Sequence, residues 1–206
     1  MATKKNIIIG AAQVYLGPSW DTTNGSNPAP AAVDNPATSF VTTMNASGTW
    51  TNVGYTQDGI EVATDPTWDD VEVDQLLDSA KIFKSGMSLT VATTFAEATL
   101  ENLLIAWGQA TSTLNSFASY RQLDIDGGSL GAAPLERGLI AVGNAPEKVG
   151  TSNYGERTYH AYRVLSVESV SHTLARSEAT VIPVTFRALP GDNGKYGYVR
   201  DRMALP

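Results

Sequence analysis

The 206-residue chain has no cysteine, which excludes disulfides, thiolate nucleophiles and Cys-ligated zinc or iron–sulfur centres. It has two histidines, His160 and His172. On an extended segment they stand about 40 Å apart, too far to share a metal ion. Cations are scarce: 14 Lys and Arg face 21 Asp and Glu, a formal net charge of −7. A protein that grips nucleic acid needs clustered cations to displace counterions from phosphates, so this balance argues against gripping and leaves repulsion open. No stretch approaches the roughly 20 apolar residues of a membrane-spanning helix, so no membrane partner is expected. The G-x-S-x-G, P-loop and G-x-G-x-x-G motifs are missing as well. With no motif of catalysis, neither enzyme activity nor a cofactor is expected.

What is present is β-sheet patterning. Short segments with period-two alternation, bounded by turn residues, predict an antiparallel, mostly β domain. Expected strands are Ile7–Leu16, Thr51–Tyr55, Gly59–Thr64, Trp68–Gln75, Met87–Ala96, Tyr120–Asp126, Leu135–Val142, Arg157–His172, Ala179–Ala188 and Gly197–Arg200. Lys4 and Lys5 ahead of an apolar run imitate a secretion signal, but Gln13 interrupts the run and no small-residue cleavage site follows, so a mature strand is the better reading. Pro183 cannot donate a ladder hydrogen bond, which places its strand at an edge or a bulge there. The length suits one domain, residues 1–206.

One helix is expected. Thr99 is a good N-cap, Leu100, Leu103, Leu104 and Trp107 fall at i, i+3, i+4 and i+7, and Gly108 supplies the stop. Those four apolar residues are the expected packing face against the sheet. Residues 17–48 are rich in Pro, Asn, Ser, Thr and Ala, with Pro28, Pro30 and Pro36 breaking regular structure, and read as a long loop or arm. The triplets Asn24-Gly25-Ser26 and Asn45-Ala46-Ser47 match glycosylation sequons, but chance produces them readily in such a segment.

The strongest charge pattern is Trp68–Asp74. In a strand, Asp70, Glu72 and Asp74 share one face and Val71 and Val73 the other. Such a face is a solvated exterior or a deliberately negative surface; a divalent-cation site would need a loop of ligands that is missing here. Leu76, Leu77, Ile82 and Phe83 mix with Asp78, Lys81 and Lys84 in the expected loop Leu76–Gly86. An apolar centre with a charged rim suits an interface.

The order of GYTQDGIEV, the acidic strand ending in VDQ, the turn at SGMSLTV and the helix TFAEATLENLLIAWG resembles the tail tube (major tail) proteins of long-tailed bacteriophages. NIIIGAAQVYLGP resembles that family's first strand and VTFRALPGDNGKYGYV its closing strand and loop; the segment Asp21–Gly48 departs from it. The resemblance implies an antiparallel β-sandwich or barrel flanked by a short α-helix. It further implies homo-oligomeric rings, usually hexameric, stacked into a tube that conducts DNA from capsid to host. Implied partners are copies of the chain itself, tape measure, terminator and baseplate or tip proteins, and genomic DNA passing without specific binding. The implied location is the virion tail, assembled in the bacterial host cytoplasm. On that reading Asp70, Glu72 and Asp74 face the lumen, and the arm and the Leu76–Gly86 loop join subunits or rings. The alternatives are the tube protein of a bacterial secretion or injection machine, and a carbohydrate-binding β-sandwich using Trp20 or Trp50 as a platform.

Overall fold

The computed structural model describes residues 10–19, 40–46, 48–75, 77–146 and 155–202. The expected strand residues Ile7–Ile9, most of the 17–48 arm including Trp20, and Leu76 lie outside them.

Among the described residues, ten strands and two short α-helices follow in the order β1 (Gln13–Pro18), α1 (Phe40–Ala46), β2 (Thr51–Asn52), β3 (Thr56–Val71), β4 (Lys81–Phe95), α2 (Leu100–Ala106), β5 (Leu114–Ser116), β6 (Arg121–Leu123), β7 (Arg137–Asn144), β8 (Glu156–Ser166), β9 (Ile182–Leu189) and β10 (Gly197–Arg202). The main sheet runs β2-β1-β7-β8-β9-β4-β3, with β10 also on β8, and every pairing is antiparallel. β5 and β6 form a separate small hairpin.

The sheet folds over on itself as a sandwich. Val14, Leu16, Leu139, Ala141, Ala161 and Val164 from β1, β7 and β8 meet Val91, Phe95, Ile182, Val184 and Phe186 from β4 and β9 in one buried cluster. Strict alternation explains the opposite face: Ile140 and Val142 turn outward and, with Tyr15, are covered by Phe40 and Met44 of α1 and by Trp50. Trp50 lies flat across Gly17 and Gly138, where a Cβ would approach the indole to within 2.5–2.9 Å and 2.8 Å respectively. Glycine at both positions lets the ring seat.

The fold departs from the sequence expectation at four places. The 17–48 segment is not all loop, because Phe40–Ala46 is helical. Its Thr- and Val-containing sequence has modest helix propensity, and burial of Phe40 and Met44, one turn apart, holds it in place. The expected strands Gly59–Thr64 and Trp68–Gln75 are one strand, β3. Pro66 does not break it because β3 is the sheet edge, where a missing N–H costs no ladder bond. β8 stops at Ser166 rather than His172. Ser166 Oγ donates to Ala106 O of α2 at 2.7 Å, and the chain leaves the sheet past that helix, bringing His172 to 6.0 Å from Trp107 between ring centroids. Trp50 is buried and offers no platform.

β9 carries Pro183 opposite Thr94 of β4, and β8 pairs only with Phe186–Leu189, so among the described residues the proline's other side has no strand beside it.

Candidate assembly surfaces

α2 begins and ends on local signals. The Thr99 hydroxyl accepts from Asn102 N at 3.2 Å, and Gly108 takes φ 64° after the last turn. Of the four residues expected to pack, Leu104 is 4% exposed and Leu103 and Trp107 are half-buried against the core; Leu100 is half-buried outside that cluster. Ile105, Ala106 and Asn102 are buried instead. Asn102 Nδ2 donates to Val53 O and Glu97 O, each at 2.8 Å, pinning the helix to the chain entering β3 and to the chain leaving β4. A 3.6-residue apolar count does not select a polar residue for the buried face, so Asn102 carries no sequence signal.

β3 and β4 pair from Thr56–Phe95 to Val71–Lys81, but β9 accompanies β4 only over Thr90–Phe95. From about Asp65 to Gly86 the hairpin is therefore a two-stranded arm standing clear of the sheet, with nearly every residue exposed. Isolated two-stranded ribbons are marginal in water, and this one carries exposed apolar side chains on both faces. Trp68, Asp70, Ile82 and Lys84 share one face, and Asp69, Val71, Lys81 and Phe83 the other. Among the described residues β3 is also a 16-residue edge strand, broken by a bulge at Asp58-Gly59 where both residues take positive φ.

The acidic trio is not one strand face. Asp70 lies in β3 and accepts from Ser79 Oγ at 2.5 Å. Ala80 N donates to Val71 O at 2.8 Å and closes the hairpin, so Glu72 and Asp74 belong to the connection beyond the strand. All three are exposed at the arm's tip. The expected Leu76–Gly86 loop is likewise revised: Leu77 is in the connection, whereas Ile82 and Phe83 are in β4, exposed.

Two features had no sequence signal. Phe117 and Tyr120 stack at the tip of the β5–β6 hairpin, centroids 4.6 Å apart and both exposed. His160, 2% exposed, sits edge-on to Trp50, Tyr162 and Tyr198. Burial, and then the charge of Arg200, lower its pKa to about 4. On the other face of β8, Arg157 clasps Asp201 of β10 through two hydrogen bonds, which hold the Asp201 carboxyl below its ordinary range.

No family model matches the chain, and no curated protein matches it. Among solved structures, the chain is similar to the SPP1 tail tube determined by solid-state NMR and cryo EM, with TM-score 0.39 and 12% identity over 88% of this chain and 75% of that one.

Proposed function

We propose that this chain is a structural subunit of a bacteriophage tail tube, assembling edge to edge into hexameric rings that stack around a DNA-conducting lumen. The observation that carries the reading is the β3–β4 arm. A ribbon exposing Trp68, Val71, Ile82 and Phe83 on two faces is costly in a monomer and useful to a subunit whose neighbour covers it. The long β3 edge supports it further: an unpaired edge is a liability in a free protein and a joint in a closed ring. The order of strands and helix in the sequence blocks that resemble the tail tube family agrees with this reading. Acidic composition suits a conduit, since a wall making few phosphate contacts lets a polyanion slide. The proposed partners are further copies of the chain, the tape measure, terminator and baseplate or tip proteins, and DNA in transit.

Negative-stain microscopy of the purified protein tests this directly. Rings or tubes are expected; a protein that stays monomeric at high concentration in light scattering, alone and with other tail components, overturns the proposal.

A further inference from the structure

A cavity of about 420 Å³ opens between β10 and the base of the arm, walled by Val62, Met87, Leu89, Leu139, Tyr159 and Val199. Its origin is in the ladder. β8 pairs with β10 along Glu156–Ala161 and with β9 along Arg163–Ser166, so β10 takes over the side of β8 that β9 has left. β4 loses β9 at Thr90, and from Lys81 to Leu89 it pairs with β3 alone among the described residues. β10 and β4 now face each other without pairing. At one end of the gap Tyr196 Oη donates to Met87 O at 2.7 Å. A tyrosine side chain plus a hydrogen bond reaches at most about 9–10 Å, so at this end the two strands stand no more than about two strand spacings apart, room for at most one inserted strand.

We infer that this gap is an acceptor slot for a β-strand donated by a second copy of the chain, the donor being Ile7–Ile9. An extended peptide is the occupant because it alone can pair with the open β4 edge while burying side chains on the apolar floor. Of the segments outside the described residues, 20–39 is broken by Pro28, Pro30 and Pro36, 147–154 contains Gly150, and 203–206 continues from β10 itself. Residues 7–9 are three consecutive β-branched isoleucines, the composition that strands favour. Ile7 and Ile9 would share the face toward the floor.

The donor comes from another copy for reasons of reach. Gly10 lies against Asn144 at the end of β7. β1 pairs Leu16 with Leu139, which walls the slot, and Gln13 with Val142, so Gly10 lies past the slot toward the Asn144 end of β7 and the residues before it would have to double back to enter. Ile7 is three residues from Gly10, about 10 Å of chain at most.

This inference rests on the self-assembly proposed above, and the test separates the two. The cysteine-free chain permits single-cysteine variants. Ile9→Cys chains are mixed with Val199→Cys chains under mild oxidation, with Ile9→Cys plus Tyr55→Cys as control, because Tyr55 is exposed outside the slot. A disulfide-linked dimer at least tenfold above the control is expected, repeated with Ile7→Cys in place of Ile9→Cys if the register is shifted by one pair. No dimer above control with either donor overturns the inference, as does an internal disulfide in an Ile9→Cys/Val199→Cys chain that stays monomeric. Tubes without the cross-link overturn the slot and leave the tube proposal standing; the cross-link without rings or tubes supports the slot and counts against the tube.

Discussion

His160 stands edge-on to Trp50, ring centroids 6.0 Å apart and planes at 79°, which places a titratable ring inside an aromatic cluster. Its folded pKa is about 4 against 6.5 in the open chain. Well above pH 6.5 the ring is neutral in both states and contributes little pH dependence. Between there and pH 4 the unfolded chain takes a proton that the folded one refuses, so stability falls as pH falls. The full difference is equivalent to about 3 kcal/mol. Denaturant midpoints measured from about pH 7.5 to 4 should decline for the native chain and decline less for His160→Phe. Equal slopes would show that the ring is not held neutral.

Asn102→Ala removes both hydrogen bonds to Val53 O and Glu97 O and leaves these acceptors short of a donor. A loss of about 2–3 kcal/mol is expected in urea unfolding. Asn102→Leu should not restore it, because the carbonyls need a donor rather than volume.

Within α2 the cost of truncation should follow burial. Leu104→Ala is expected to lose about 2–5 kcal/mol, and Leu100→Ala clearly less because it lies outside the core cluster. Thermal or chemical melts of the two variants give the order; the reverse order would refute the observed packing.

The arm should matter to assembly and not to folding. Trp68→Thr, Ile82→Thr and Phe83→Thr combined change exposed residues, so the unfolding free energy should move by no more than about 1.5 kcal/mol. Sedimentation and microscopy should show loss of rings or tubes. Normal tubes from this variant would remove the arm from the interface.

Asp70, Glu72 and Asp74, gathered at the arm's tip, repel one another and their symmetry copies if the tips converge on assembly. Added salt, or the combined substitutions Asp70→Asn, Glu72→Gln and Asp74→Asn, should then lower the concentration at which light scattering detects assembly. No salt response, together with unchanged assembly of the neutral variant, would place the tips apart.

The reading of α2 depended on neighbours in the chain: Thr99 and Gly108 mark its ends by bonds and φ angles formed within one turn. The period-two segments were legible for the same reason, since alternation is imposed by the strand itself. The helix at Phe40 was not legible, because the surface that holds it is made by Tyr15, Ile140 and Val142, from segments far away in sequence.

By itself, then, the sequence determined the β class, the single well-capped helix, the acidic balance and the exclusion of cysteine chemistry, all consequences of local geometry and composition. Only the tertiary structure decided that Pro66 lies within one long edge strand, that Glu72 and Asp74 leave the strand that alternation assigns them with Asp70, and that β10 and β4 flank an open gap. Those outcomes depend on which strands pair and where each pairing ends. Pairing is settled by burial and hydrogen-bond satisfaction between segments as distant as Met87 and Tyr196, which no local window contains.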